Sequence, residues 1–466
     1  MGRERDRATR RDGCDHGLAR FGPAGVKGSY VRISTVLFAA GLAGTVTNVS
    51  VTVVASPLAR EWHVALSEVA VGVLALNISM AFVMPIAGLT AGRYGMRALL
   101  LVGGTTLSVS TILLLFADNT LLLTIGRLGQ GAGMAAVTPT AVQASNHLLE
   151  RREHAKALGW WSAANGVGLA IGPVLGGTLF DLGGWRLVPL PALAVGILVI
   201  VSTLRGVPRA MRHEGPVRLY GVIMLSLMAG ASVVVVSAVS VGSVLVAVMT
   251  GVALLVLLVY SLLGPRRSEL PLNWLHDVMV RRSATGASVQ MFVNGMVQVG
   301  VPAWLVTEAI TSSSGAGVTL LAMTLTMTVM GPLTGRRSHI EYGRWFRAGA
   351  ALCAMGVLAL AVSAGIGPWW ITYPSLVITG VGAGSLLTPS FQAFSRTIPG
   401  RDGVGIAMYN LCRLSSFAVG GIVGATAVDG GMPAIAFLIA ATLCGLMLTR
   451  PFPRPAMTGS SVATGA

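Results

Sequence analysis

The sequence predicts an all-α integral membrane protein with fourteen transmembrane helices, and three observations carry that prediction. Only 11% of the 466 residues are charged and the mean hydropathy is +0.75, whereas an ordinary soluble domain is about one quarter charged. Apolar runs of spanning length recur along the whole chain, separated by short polar connections. The basic residues, finally, collect on alternate connections.

A spanning helix takes about 20 mostly apolar residues, and segments of that kind are read at about 33–55, 67–90, 98–116, 121–147, 156–179, 187–204 and 218–239. Seven more follow at about 243–263, 283–307, 316–334, 346–366, 369–391, 403–427 and 431–449. The first is preceded by an Arg-rich tail over 1–32, which invites comparison with a signal peptide. It fails as one, because the run is long, has no persuasive small-residue cleavage site and opens a whole series of spans.

Numbering the connections alternately tests this count, since cytoplasmic loops collect Lys and Arg. Of 33 basic residues, 29 fall on the side of the two termini, from Arg3 in the first tail to Arg450 and Arg454 in the last. The opposite side has only Arg60 and Arg186, while Arg127 and Arg413 lie within spans. One missed helix would scramble this asymmetry. Both termini are therefore expected in the cytoplasm, with the chain multi-pass in the plasma (inner) membrane. The net charge of +16 then records topology and attraction to anionic lipid, and nucleic-acid binding is not needed to explain it.

Other classes drop out on composition. Cys14 lies in the polar tail, and Cys353, Cys412 and Cys444 fall in apolar runs with no paired spacing, so neither a disulfide framework nor a metal site is expected. The only lysines, Lys27 and Lys156, are not part of a Gly-Lys-Ser/Thr phosphate loop, which excludes an ATP-driven pump in this chain. An enzyme would require clustered His, Asp or Cys near a bound substrate, and none is seen; no cofactor is expected. The tryptophans sit near span ends, and interfacial anchoring accounts for most of them.

Three motifs follow in order between the second and the fifth spans. The connection after the second span reads Gly88-Leu-Thr-Ala-Gly92-Arg93-Tyr-Gly95-Met-Arg97, where glycines permit a tight turn and the arginines can pair with helix ends or acids. The fourth span contains Gly126-Arg127-Leu-Gly-Gln130-Gly131-Ala-Gly133; a guanidinium at that depth turns inward to carbonyls, polar partners or a water cavity. In the fifth, Gly168, Gly172 and Gly176 recur every four residues, followed by Gly177, and make a face for close helix packing. Pro173 on that helix removes one backbone donor and favours a bend, so the segment suits a pivot.

This ordered set resembles the major facilitator superfamily. The fourteen-span count, the stretch from Arg151 to Arg186, and "YNLCRLSS" over 409–416 look like its drug:proton antiporter branch with fourteen helices. The resemblance covers about 33–449 and implies a six-helix bundle over 33–204, two inserted helices with their loops over 205–282, a second six-helix bundle over 283–449, and cytoplasmic tails over 1–32 and 450–466. It further implies a substrate site between the halves near the midplane, opened alternately to either side by rocking. Gly335-Arg336-Arg337 to Gly343-Arg344 looks like a degraded second copy of the Gly88–Arg97 stretch, as a duplicated architecture would give.

The chain departs from the family at two carboxylates. The family's loop Asp is replaced by Gly92, and the first span carries Thr45, Thr47, Asn48, Ser50 and Thr52 but no acid. All 17 acids lie in the cytoplasmic parts or near outer helix ends. Glu68, about a turn into the second span, and Glu308, at the outer end of the ninth, are the remaining proton-site candidates. Arg127 and Arg413 are in-span cations without an in-span anion: they bond carbonyls and neighbours such as Gln130 and Asn410, or they create a positive cavity suited to an anionic or electron-rich solute. Asn48, Asn77, Gln290, Asn294 and Gln298 are candidate cavity groups, because an amide facing lipid is penalised, and 290, 294 and 298 share one helical stripe.

The expected function is secondary transport of small, largely apolar compounds such as drugs, antibiotics or the cell's own metabolites, exported by a monomer coupled to an ion gradient. A facilitator or importer on the same fold and a degenerate transporter acting as a sensor are the alternatives.

Overall fold

A computed structural model describes residues 23–208, 244–263, 277–335, 342–397 and 403–449, together with isolated residues between 223 and 238. Among them the chain is helical throughout. The helices are α1 (Pro23–Thr52), α2 (Ala55–Trp62), α3 (Leu66–Tyr94), α4 (Met96–Leu115), α5 (Thr120–Leu148), α6 (Arg151–Gly183), α7 (Leu190–Gly206), α8 (Val244–Leu263), α9 (Val278–Thr307), α10 (Ser313–Gly335), α11 (Tyr342–Gly365), α12 (Thr372–Thr397), α13 (Gly403–Asp429) and α14 (Pro433–Leu448). Among the described residues, ten helical stretches are long and apolar enough to cross a membrane. α5 is 29 residues long but is made more polar by Arg127 and Gln130, and α14 is apolar but has only 16 residues. Of the expected span at 218–239 only scattered residues are described; residues 1–22, 450–466 and the 336–341 stretch of the second loop copy lie outside the described residues, and α1 already begins at Pro23, within the expected first tail.

Large apolar side chains are exposed on α4 (Val102, Val109, Ile112), α7 (Ile197, Leu204), α11 (Met355, Leu358) and α14 (Ile435, Leu438). Inside, small and hydroxyl-bearing residues are interleaved with buried Val, Leu and Met. Apolar side chains facing outward suit a hydrocarbon solvent, which exacts no cost for an exposed leucine but a large one for an unpaired polar group.

The packing has a repeat. In the first half α1 packs on α6, α3 on α5, α4 on both α5 and α7, and α1 on α7. In the second, α9 packs on α13, α10 on α12, α11 on both α12 and α14, and α9 on α14. The same helix positions therefore meet in each half. Contact between the halves is made chiefly by α3 with α13 and by α6 with α10, which is one pairing and its counterpart under the repeat.

Glycine makes the tightest contacts possible. A Cβ on Gly168, Gly172 or Gly176 would run into Thr45, Val49 and the Ser50 carbonyl of α1, and one on Gly177 would run into the Ser313 carbonyl of α10. The glycine stripe thus seals α6 to α1 within its own half, while Gly177 and Pro173 face α10, where Gly317 packs on the Pro173 carbonyl. In the second half Gly295 and Gly420 play the same part against the carbonyls of Phe417 and Phe292.

Two sequence expectations change in detail. The Gly88–Arg97 stretch is helical as far as Tyr94, and the turn is confined to Gly95, whose φ of 91° is readily available only to glycine. Trp185 and Trp304 are buried rather than interfacial: the Trp185 indole N–H donates to the Leu114 carbonyl at 2.9 Å and its ring meets Trp62 edge-on at 6.1 Å. Trp160, Trp369 and Trp370 remain exposed, as anchors would be.

Candidate functional site

In the first half the site is built around Arg127. α5 is entered through Asn119, whose side chain caps the first turn, and two turns later it places Arg127 fully buried against α1 and α3. The guanidinium donates from Nε to the Val73 carbonyl at 2.9 Å and from Nη1 to the Thr47 carbonyl at 2.7 Å and Gln130 Oε1 at 3.0 Å. Nη2 reaches the Asn48 carbonyl at 3.4 Å. Gln130 in turn donates to Thr111 Oγ1 at 2.8 Å, whose hydroxyl donates to the Leu107 carbonyl. A single cation therefore ties α1, α3 and α5 together directly and α4 through Gln130. Gly131 makes room for this, since a Cβ there would strike the Leu76 carbonyl of α3.

Beside it, Asn48 of α1 and Asn77 of α3 form a reciprocal amide pair, with Nδ2 to Oδ1 distances of 3.2 and 3.0 Å. Asn77 is wholly buried and Asn48 partly exposed. The central polar group of this half is consequently neutral apart from Arg127, and neither side chain of the pair titrates.

The second half is less complete. Gln290, Asn294 and Gln298 line one stripe of α9, all buried. Gln298 donates to Asn294 Oδ1 at 2.8 Å, but both side-chain atoms of Gln290 are buried without a protein partner. On α13, Arg413 donates from Nη1 to Asn410 Oδ1 at 3.2 Å and lies 5.5 Å over the Tyr409 ring. Its Nε, the Tyr409 hydroxyl and the Ser390 hydroxyl of α12 are also buried without protein partners. The two in-span arginines therefore differ sharply: Arg127 is saturated by acceptors, whereas Arg413 is held mainly by a ring face and one amide.

At the end of the bundle that has few basic residues, the halves are clasped together. Asp429, closing α13, accepts from the backbone N–H groups of Leu66 at 3.0 Å and Ser67 at 2.6 Å, the free donors at the start of α3. Asp181, near the end of α6, accepts from the Ser314 N–H at the start of α10 at 2.9 Å. These two contacts are counterparts under the repeat. Arg60 of α2 adds a bond to the Val306 carbonyl at 2.7 Å, and Ser56 and Thr307 share a hydrogen bond of 2.9 Å. Glu68 stands half-buried in the first turn of α3, one residue beyond the amides that Asp429 caps, while Glu308 is exposed just past α9.

The gating stretch yields less. Arg97 donates to the Val207 carbonyl at 2.7 Å and so fastens α4 to the end of α7. The side-chain surroundings of Gly88, Gly92 and Arg93 lie outside the described residues. Sequence reading missed five participants. Thr111 and Ser390 are ordinary hydroxyls in apolar runs, and nothing flagged them. Tyr409 could have been found from its four-residue spacing to Arg413. Asp181 and Asp429 were visible as outer acids, but their partners are backbone amides, which carry no residue signature.

Duplicated helix sets with a polar centre and lipid-facing apolar outer helices define a helical membrane carrier. The comparisons with known proteins name the family: a sequence model described as Major Facilitator Superfamily matches residues 36–421, and the chain belongs to that superfamily of transporters. It is 25% identical over 374 residues to the "Probable actinorhodin transporter" of Streptomyces coelicolor, covering 74% of this chain and 62% of that one. It is 24% identical over 371 residues to "Methyl viologen resistance protein SmvA" of Salmonella typhimurium, covering 73% and 74%. A shorter match, 35% identical over 133 residues, is to "Multidrug resistance protein Stp" of Mycobacterium tuberculosis, covering 28% of this chain and 25% of that one. The chain thus spans less than two thirds of the length of two of these relatives.

Proposed function

We propose that the protein exports small, largely apolar compounds, drugs or the cell's own metabolites, by alternating access, driven by an ion gradient. The observation that carries this reading is the pairing of α3 with α13 and of α6 with α10. Two repeated helix sets meeting along two related seams can rock about those seams, which is what a site exposed alternately to either face requires. The similarity to proteins named for drug resistance supports export over import.

In this reading fourteen helices span the plasma membrane of a monomer, with both termini in the cytoplasm, bundles over 33–204 and 283–449, and the inserted pair between them. The clasps made by Asp429, Asp181 and Arg60 then lie outside, and the conformation described is closed to the exterior. Arg127 acts as a staple that keeps α1, α3 and α5 moving as one body. Gln290, Asn294, Gln298, Asn48 and Asn77 supply sparse polar contacts on the substrate path, consistent with broad selectivity for apolar solutes. Glu68 and Glu308 are the groups through which an external proton would act.

A facilitator without proton coupling is the second reading, favoured by the Asn48–Asn77 pair, which puts two non-titrating amides at the centre of the first half. Purified protein in liposomes separates the two: flux of an apolar dye that accelerates under an imposed pH gradient supports antiport, and flux indifferent to the gradient supports facilitation.

A further inference from the structure

Among the described residues, buried polar atoms without protein partners occur in both halves, on α1, α5, α6 and α7 as single hydroxyls and one indole, but on α9, α12 and α13 they include an amide and a guanidinium beside hydroxyls. The Tyr409 ring lies tilted at 4.6 Å from Phe394 and 5.7 Å from Phe391, both in the α12 turn that begins at Ser390. Gly286, one turn before Gln290 on α9, faces the Ser390 hydroxyl so closely that a Cβ would lie 3.3 Å from it. Val280, Ala287, Phe394 and Tyr409 form one buried cluster that joins the three helices. Leu414, next to Arg413, packs on the apolar core of the first half, so this turn of α13 faces the seam between halves.

We infer that Arg413, Tyr409, Gln290 and Ser390 form a subsite for an anionic group, a carboxylate or phenolate carried on a flat apolar body. The chemistry of the donors decides the sign. Arg413 is always a donor and always charged, the Gln290 amide and the Tyr409 and Ser390 hydroxyls can donate to an anion, and no carboxylate occurs at mid-span to compensate the guanidinium. A half-buried cation held by one amide and a ring face gains most from an anion brought to it. Phe391 and Tyr409 offer aromatic surface to the body of such a solute. Arg127 cannot serve in this way, because four acceptors already occupy it.

The subsite deepens the exporter reading and rests on it for the word substrate; binding and flux are measured separately so that either can fail alone. The probes are 2-naphthoate and the matched cation 2-naphthylmethylammonium, with binding measured by equilibrium dialysis against the full chain in lipid nanodiscs. Wild type is expected to bind the anion about tenfold more tightly than the cation, Arg413→Lys to keep most of that preference, and Arg413→Gln to abolish it. Tyr409→Phe, which keeps the ring and loses the hydroxyl, is expected to weaken anion binding about threefold with cation binding unchanged. Equal affinity for the two probes in wild type overturns the subsite, as does a preference that survives in an Arg413→Gln protein of wild-type thermal stability. Should Arg413→Gln fail to fold, Tyr409→Phe decides alone: unchanged anion affinity overturns the assignment. Anion binding with no protein-dependent flux of either naphthoate or an apolar dye in liposomes leaves the subsite standing and refutes the exporter reading.

Discussion

Arg127 shows how a single residue can be both costly and indispensable. Its burial is tolerated because three main-chain carbonyls and Gln130 take its donors, and removing it strands those acceptors in a dry interior. Arg127→Met should cost about 2–4 kcal/mol of stability, read as a lower unfolding temperature in detergent. Arg127→Lys should recover only part, because an ammonium cannot span the Val73 and Thr47 carbonyls as the planar fork does. Unfolding of Arg127→Met at the wild-type temperature would show that the staple carries no load. That the residue turns inward was legible in the sequence, since a charge in an apolar run has nowhere else to go. Its partners were not, because Val73, Thr47 and Asn48 act through backbone oxygens that every residue possesses.

At the scale of the helix, small residues and end caps set how elements meet. The glycine stripe of α6 was readable from its four-residue period, yet the period alone could not say which helix lies opposite; the structure puts α1 there, with α10 on Gly177. Gly176→Ala should therefore disrupt the first half itself, lowering thermal stability, whereas Gly177→Ala should act on the seam and slow transport with a smaller loss of stability. Equal effects of the two changes on both readouts would contradict this division. The aspartate clasps make a second prediction. Asp429 satisfies two helix-start donors and Asp181 one, so Asp429→Ala should open this end of the bundle more than Asp181→Ala. Spin-label distances between the start of α3 and the end of α13 would report it, and unchanged distances in Asp429→Ala would dismiss the clasp. Helix boundaries were less legible than helix faces: polarity marked a loop from Gly88, but the chain stays helical to Tyr94 because only Gly95 adopts the conformation that breaks it.

For the whole molecule, the distribution of charge did more than its amount. Scarcity identified the solvent, and the sorting of 29 basic residues to one side gave the expected topology; an engineered cysteine at the exposed Ile366, labelled by a membrane-impermeant thiol reagent applied to intact cells, tests that side assignment directly. The repeat in packing was not legible in this way, because the two halves share positions rather than residues: α5 carries Arg127 where α12 has no counterpart cation, and Arg413 appears on α13 instead. In the proposed reading the same inventory leaves Glu68 and Glu308 as the candidate coupling groups. If an external proton acts through them, the double variant Glu68→Gln with Glu308→Gln should lose the acceleration by a pH gradient while retaining downhill flux. The most direct test of the account is the flux of an apolar dye from liposomes containing the purified wild-type chain, with and without an imposed pH gradient. The account predicts protein-dependent flux that rises with the gradient; protein-dependent flux that ignores the gradient, or no flux beyond that of empty liposomes, would contradict it.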